Sequence, residues 1–361
     1  MSRLLQVYVV PPAVFVSVIM GGGYGTGREV LEFFSRYGIG GGLIGIAIAG
    51  LVFALVFAMT FDFARRMGAY EYQTFFRELI GPFWWTFELL YLLLFLLVLG
   101  VLSSAASNIL SSRFQVPPEL GLALMLVLVA AMVFFGRQIL ERILTGWMFA
   151  MYGVFLLYFF FVLQQFDAHT LSVQITTAGE PGAAAGGALY ALYNVALAPV
   201  LLFAVRGLET RKEALGCGVV TAVLIMLPAA MFHISFSLGL PSILEEPVPV
   251  YWMIEHYAPS WMLPLYLIAL LGTLAQTGAG LVQGVIERVE FALTPQKDDG
   301  MSHWLRALIA MGALGVSAAL ASLGIISLIA KGYSAMAVGF AVVYVIPLLT
   351  ISYFKQSRVV A

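Results

Sequence analysis

The chain has 361 residues, of which 61% are hydrophobic and only 10% are charged, and its formal net charge is −1. A soluble globular domain carries about 25% charged residues, so this composition excludes a soluble globular protein and predicts an integral membrane protein. The near-neutral charge argues against a nucleic-acid partner, which would require a basic surface.

Apolar stretches of about twenty residues recur along the chain, a length typical of membrane-spanning helices rather than of barrel strands. We predict an all-α integral membrane protein with ten transmembrane helices, of which helices 1 and 6 are discontinuous. The predicted spans are about 7–36, 40–64, 83–112, 119–135, 139–164, 183–206, 213–239, 260–290, 303–323 and 331–354. Segments 65–82 and 240–260 mix aromatic and charged residues, which predicts short amphipathic helices at the membrane surface.

Lysine and arginine residues are distributed unevenly between the two sides of the predicted bundle. With a cytoplasmic N-terminus, 14 of them fall on the cytoplasmic side and 4 on the outer side, namely Arg28, Arg36, Arg113 and Lys331. Cytoplasmic loops carry the excess of Lys and Arg, so both termini are predicted to lie inside. The predicted location is the cytoplasmic (inner) membrane of a bacterial cell, crossed many times.

The first span contains the stretch GGGYGTGRE, residues 21–29, with five glycines in seven residues. Each glycine costs about 1 kcal/mol relative to alanine in a helix interior. One interpretation is a packing face, since the pairs Gly21/Gly25 and Gly23/Gly27 are each four residues apart. The other is an unwound segment, which is tolerated at membrane depth only where it is buried in protein or lines a cavity. Its free backbone groups would then act as ligands.

The third span contributes two polar features. Residues 103–108 read SSAASN and form a small polar face, and Glu88 lies one or two turns inside the membrane. An intramembrane carboxylate is a functional hypothesis by default, so Glu88 is a candidate for proton coupling. Because Glu88 is close to the cytoplasmic end, the alternative is that it reaches interfacial water.

The sixth span is interrupted at a position that corresponds to the glycine stretch. Its sequence places Asn194 and Pro199 in the middle of an apolar segment, and proline removes a helix hydrogen bond. Interrupted segments at corresponding positions of two halves indicate the central site of a transporter. This pairing favours the unwound interpretation of residues 21–27.

The two halves of the chain show the same order of features. Span 3 starts near Phe83 and span 8 near Ser260, and each follows an amphipathic segment. Five spans per half place the second half upside down relative to the first. We therefore predict a single membrane domain built from two inverted repeats, residues 1–165 and 183–354.

With interrupted helices 1 and 6 in a 5+5 arrangement, the chain resembles the LeuT fold of the amino acid–polyamine–organocation superfamily. Its short length and glycine-rich first break resemble the YkvI-type membrane proteins. The resemblance implies that span 3 lines the substrate site and that an outer gate lies just beyond the first break. The predicted solute-binding residues are Gly21, Gly22, Gly23, Tyr24, Gly25, Thr26, Gly27, Ser104, Tyr193 and Asn194.

Arg28 and Tyr190 are the predicted gating residues. Arg28 follows the break on the outer side, where the resembling fold places a gating ion pair. Glu29 and Glu32 flank it, so the alternative is a local, solvated charge cluster. For Ser104 the alternative is close packing of small residues between helices.

Span 8 carries the candidate cation ligands. Thr273 and Thr277 are four residues apart on one helix face, with Gln276 beside them. In the resembling sodium-coupled transporters, this helix supplies hydroxyls to a sodium ion that also binds carbonyls of the helix 1 break, here represented by Gly22. An amide in place of one hydroxyl can still coordinate a hard cation. The alternative is that Gln276 makes only an interhelical hydrogen bond.

These features predict a secondary active transporter of a small polar solute, such as an amino acid, an amine or an osmolyte, working by alternating access. The coupling ion would be Na⁺ or H⁺, and no other cofactor or metal is expected. The expected partners are the solute and the lipid bilayer, with a monomeric or homodimeric state. The alternative function is a non-transporting sensor or receptor subunit that binds a small ligand with the same fold. No arrangement of nucleophile and base predicts an enzyme.

Overall fold

The structure is a computed structural model that describes residues 2–19, 22–134, 137–166, 181–293 and 303–355. Within these ranges every regular element is helical, which confirms the all-α prediction for this part of the chain. The α-helices are α1 Arg3–Tyr8, α2 Val10–Ile19, α3 Gly22–Thr26, α4 Arg28–Phe33, α5 Gly38–Met67, α6 Tyr72–Ile80, α7 Trp85–Phe114, α8 Pro118–Phe134, α9 Arg137–Leu163, α10 Ala183–Asn194, α11 Leu197–Val200, α12 Arg211–Phe236, α13 Pro249–Tyr257, α14 Met262–Leu293, α15 His303–Ala321, α16 Ile325–Ser327, α17 Ser334–Phe340 and α18 Ile346–Phe354.

Six helical stretches of the described residues are long and apolar enough to cross a membrane. They are Arg28–Met67, Tyr72–Phe114, Ala183–Val200, Arg211–Phe236, Met262–Val282 and Ile325–Ser352. Shorter apolar helices cover Arg3–Val16, Pro118–Met132, Ala150–Leu163 and Met311–Ala321. Large apolar side chains such as Leu51, Val223 and Ile268 remain exposed on these helices, as expected for surfaces that face lipid.

The first helical segment is interrupted where the glycine stretch predicts. Helix α2 is described as far as Ile19, the short helix α3 covers Gly22–Thr26, and α4 begins at Arg28. Gly27 separates α3 from α4 with φ +76° and ψ −4°, a left-handed conformation that glycine adopts without the steric cost of a Cβ atom. Met20 and Gly21 lie outside the described residues. Within the described residues, the helical path therefore breaks at Gly27.

The sixth segment is interrupted as well. Helix α10 ends at Asn194, and a turn leads into the four-residue helix α11, which contains the buried Pro199. A 3₁₀ turn at Leu202–Val205 follows instead of a continued α-helix. Proline cannot donate the backbone hydrogen bond that a regular helix needs at this position, which explains the break.

Helix α5 lies in the centre of the part that holds both interruptions, packed against α12 and α10. Glycines permit these contacts: Gly187 of α10 lies on the backbone of Gly45, and Gly218 of α12 lies on the backbone of Ala58. Small residues let helix backbones approach closely in a membrane, where there is no hydrophobic driving force between helices. The tyrosines near the end of α10 are therefore held at a fixed distance from α5.

The last helical stretch departs from α geometry twice. Residues 328–333 and 341–345 form π turns on either side of α17. Such turns are rare and occur mostly as single insertions into α-helices, frequently at functional sites. The first of them ends at Tyr333, which is buried against α10.

Both predicted amphipathic segments contain short helices, α6 and α13. On α6, the buried residues Phe75, Phe76 and Leu79 share one face, as expected for a helix that lies along the bundle.

Candidate functional site at the two helix interruptions

Aromatic rings bring the two interruptions together. The ring centroid of Tyr190, on α10, lies 6.4 Å from that of Tyr24 on α3 and 4.9 Å from that of Phe34. The ring centroid of Tyr193 lies 5.7 Å from that of Phe33, at the end of α4. The predicted residues Tyr24, Tyr190 and Tyr193 therefore share one buried cluster, although they come from segments about 170 residues apart in the sequence.

The freed backbone of the first interruption is bonded mainly by groups of the protein itself. The Gly27 N–H donates to the Tyr24 carbonyl at 3.0 Å, and the Thr26 hydroxyl donates to the Gly23 carbonyl at 3.1 Å. The Gly25 carbonyl accepts a bond of 2.8 Å from the hydroxyl of Tyr266 on α14. Thr26 thus closes the break rather than pointing away from it, and Tyr266 is a site residue that the sequence interpretation missed.

Tyr24 and Asn194 are also engaged within the cluster. The Tyr24 hydroxyl donates to the Ile225 carbonyl of α12 at 3.2 Å, and its side chain is fully buried. The Asn194 amide donates to the Tyr190 carbonyl at 3.0 Å, within its own helix. Both residues hold the shape of the interruptions in this conformation.

Glu29 is the most unusual residue of the cluster. Its side chain is only 5% exposed, and its carboxyl group lies directly on Gly23, where any Cβ atom would overlap it. No Lys, Arg or His of the described chain forms an ion pair with it. The interpretation of Arg28, Glu29 and Glu32 as a solvated charge cluster is wrong, because all three side chains are buried.

Two tyrosine hydroxyls lie in the buried cluster around Glu29. The hydroxyl group of Tyr193 faces the Glu29 carboxyl group, and that of Tyr190 faces Tyr24. Tyr333 of the first π turn also lies near Glu29. A carboxyl group and tyrosine hydroxyls buried together between two interrupted membrane helices make this cluster the candidate binding site.

Arg28 connects α4 to the segment between α12 and α13. One of its terminal nitrogens donates to the carbonyls of Leu244 at 2.6 Å and Glu246 at 3.1 Å, and the other donates to Glu32 at 2.8 Å. Arg36 also pairs with Glu32. The guanidinium group therefore holds residues 244–246 against the start of α4.

The candidate cation ligands lie on the helix that contacts the first interruption. Tyr266, Leu270, Thr273 and Thr277 follow one another at spacings of four, three and four, so they share one face of α14. That face meets α3, since Tyr266 bonds Gly25 and Leu270 packs over it. The two threonine hydroxyls donate to their own helix, at 2.8 and 2.9 Å, which leaves their lone pairs available to accept.

The rest of this set is only partly described. The side chain of Gln276 lies outside the described residues, as does Gly21, while Gly22 is the first residue of α3. In the described part of the chain, no group of three or more His, Cys, Asp or Glu residues has the arrangement of a metal site.

The two features of the third span separate in the structure. Ser104 is buried in the middle of α7, where its carbonyl accepts a bond of 2.7 Å from Asn108, while Ser103 bonds Ser317 of α15 at 2.9 Å. Glu88 lies in the first turn of α7, beside Phe87, whose ring stacks on Phe76 of α6 at 3.9 Å. At a rise of about 1.5 Å per residue, Glu88 lies about 24 Å along the helix from Ser104. The carboxyl group that reaches the interruptions is Glu29, not Glu88.

The different surroundings of Tyr266 and Tyr193 give a direct test of the site. Tyr266→Phe leaves the Gly25 carbonyl without its partner, so we expect it to lower stability by about 1–3 kcal/mol. Tyr193→Phe removes a hydroxyl that faces the Glu29 carboxyl group and leaves no backbone carbonyl unpaired, so it should cost less stability. Thermal unfolding of both variants in detergent, followed by intrinsic fluorescence, measures the difference. Equal destabilisation by the two changes would show that the Tyr193 hydroxyl has a structural role instead.

Comparison with known proteins places this geometry in a known fold. A Na⁺-coupled sialic acid symporter in a substrate-bound, outward-open state matches with a TM-score of 0.62 and 14% identity, over 96% of this chain and 80% of its own. The manganese transporter of Eremococcus coleocola matches with a TM-score of 0.56 and 15% identity, over 96% of this chain and 78% of its own. The chain has a LeuT-like fold. The predicted resemblance in fold is confirmed, and so is the multi-pass membrane location.

A similarity in sequence adds to this likeness. Over 60 residues the chain is 38% identical to the uncharacterized membrane protein YkvI of Bacillus subtilis (strain 168). The matched segment spans 17% of this chain and 17% of YkvI. No family model matches the chain.

Proposed function

We propose that this LeuT-like membrane protein is a secondary active transporter that moves a small polar solute by alternating access. The observation that carries the proposal is the meeting of two interrupted helices around one buried polar cluster. Discontinuous helices that meet near the middle of the membrane form the solute sites of secondary transporters. The structural neighbours named above are transporters rather than enzymes, which supports the same function class.

In this proposal the chain crosses the membrane ten times as two inverted repeats, residues 1–165 and 183–354, with both termini in the cytoplasm. Spans 1, 2, 6 and 7 form the moving bundle. The packing of α5 against α10 and α12, through glycine contacts, supports a bundle that moves as a unit. Spans 3, 4, 8 and 9 form the scaffold.

The solute would lie between residues 21–27 and Tyr193–Asn194, with Ser104 on the scaffold side. A coupling Na⁺ would lie between the first interruption at Gly22 and Thr273, Gln276 and Thr277 on α14. The contact between α14 and α3 supports this location, because it brings threonine hydroxyls to the helix that carries the break. Arg28 and Tyr190 would form the outer gate, which is closed in this conformation by the bonds from Arg28 to residues 244–246.

Flux measurements in proteoliposomes test the proposal. We expect accumulation of a labelled amino acid, amine or osmolyte that depends on an imposed Na⁺ or H⁺ gradient or on membrane potential. A potential of 100 mV supplies about 2.3 kcal/mol per charge, enough for about a 50-fold gradient. Gly25→Leu serves as the inactive control, because a leucine there would collide with Leu270 and Met151.

Binding without flux under every imposed gradient would contradict transport. It would favour the alternative function, a sensor or receptor subunit that keeps the ligand site of the fold.

A further inference from the structure

Glu29 is a buried carboxyl group that forms no ion pair with any cation of the described structure. Arg28 is adjacent in sequence, but its terminal nitrogens are bonded to Glu32 and to the carbonyls of Leu244 and Glu246. Lys331 lies two residues before Tyr333 and is exposed. A buried carboxylate without a cation is strongly disfavoured in a membrane protein, and such residues mark ligand and ion pathways.

The groups around Glu29 are aromatic faces and tyrosine hydroxyls, which can accept as well as donate. Tyr190 and Tyr193 place their hydroxyls in this cluster, and the centroids of their rings lie 5.7 Å apart. The ring centroids of Tyr333 and Tyr193 lie 4.6 Å apart, and those of Phe33 and Tyr190 lie 5.8 Å apart. An ammonium group has only N–H donors and a positive charge, and both match this shell, since aromatic faces attract cations.

The same position is unfavourable for a second carboxylate. The carboxyl group of Glu29 already occupies the space over Gly23 at the interruption. The carboxylate of an amino acid bound there would face a like charge at short range, with no free cation among the described side chains to balance it. A zwitterionic solute would therefore bind less tightly than an amine of the same side chain.

We propose that Glu29 is the counter-charge for an ammonium group and that the site takes a small organic amine rather than an amino acid. This inference rests on the proposed function for the location of the solute, and it names the class of solute. Neighbouring rings of the cluster have centroids 4.6 to 6.4 Å apart in this closed conformation, so the solute must be small and must enter when the gate opens.

Matched pairs of compounds that differ only by a carboxylate test this inference. The probes are methylamine against glycine, ethanolamine against serine, and putrescine against ornithine. Binding to the purified protein is measured by isothermal titration in detergent, so that the result does not depend on flux. We expect at least one amine to bind wild type about tenfold more tightly than its amino acid.

Glu29→Gln removes the charge and keeps the size of the side chain. We expect it to weaken amine binding by about 10- to 100-fold, whereas Glu255→Gln, on the exposed face of α13, leaves binding unchanged. Glu29→Asp keeps the charge and should retain the preference for the amine. If Glu29→Gln does not fold, the comparison of paired compounds on wild type decides the question by itself.

Three results would overturn the inference: tighter binding of the amino acid in every pair, unchanged amine binding by folded Glu29→Gln, or no binding of any of the six compounds. These results are distinguishable from failure of the transport proposal. Transport of serine without ethanolamine binding removes the amine inference alone. Amine binding that requires Glu29, without flux under any gradient, removes transport alone.

Discussion

Replacement of Gly187 by alanine is expected to lower the stability of the protein by about 3 kcal/mol, at the upper end of the cost of overpacking. A Cβ atom at this position would overlap the carbonyl group and Cα of Gly45, which are backbone atoms that no rotamer change can move. Helices α5 and α10 must separate to admit the methyl group. Because α10 carries Tyr190, Tyr193 and Asn194, we expect solute binding to be lost together with stability.

The matched control is Gly280→Ala on α14. A Cβ atom there meets no heavy atom within 4 Å, so the change removes a glycine from a helix without a collision. It should be neutral or stabilising by about 1 kcal/mol. Thermal unfolding of the two variants in the same detergent measures the contrast, and similar melting temperatures would refute the close contact between α5 and α10.

Removal of the Arg28 side chain should open the segment that it fastens. In Arg28→Ala, the carbonyls of Leu244 and Glu246 lose a charged donor, and such bonds contribute about 1.5–3 kcal/mol each. Local opening would then be about 10- to 100-fold more frequent. Hydrogen exchange followed by mass spectrometry should show faster exchange in peptides that cover residues 242–248, with little change in α5.

Arg36→Ala is the control for this experiment. Arg36 also pairs with Glu32, but its side chain is half-exposed and makes no bond to residues 244–246 among the described contacts. Exchange in 242–248 should stay close to that of wild type. If Arg36→Ala accelerates exchange as much as Arg28→Ala does, the effect belongs to Glu32 rather than to the fastening of this segment.

The two interruptions could be predicted from the sequence because their causes are local. Glycine at a left-handed position and proline inside an apolar segment act on the backbone where they occur. The effects of Gly27 and Pro199 on the helices can therefore be predicted from the sequence alone. The proximity of Tyr24 to Tyr190 and Tyr193 followed from pairing the two breaks. The resemblance in architecture was therefore enough to predict that these tyrosines lie close together.

The role of Glu29 was harder to see. In the sequence, Arg28, Glu29 and Glu32 suggest a charged cluster on the surface. The structure shows that all three side chains are buried. One signal was available: Arg28 and Glu32 are four residues apart and pair on one helix face, which leaves Glu29 on another. Tyr266 gave no such signal, because its bond to Gly25 joins residues 241 positions apart.

The π turn at residues 328–333 has a mechanical consequence. Hydrogen bonds in a π turn span one residue more than in an α turn. If the position of this extra residue shifted along the helix, the turns on either side would rotate relative to each other while the helix stayed folded. Such a shift would rotate Tyr333 by about 100° around the helix axis and withdraw its ring from Tyr193. The far end of the segment is anchored meanwhile, since Arg66 holds the carbonyls of Ser352 and Lys355. A shift of this kind would move Tyr333 while the bonds from Arg66 keep the far end of the segment in place.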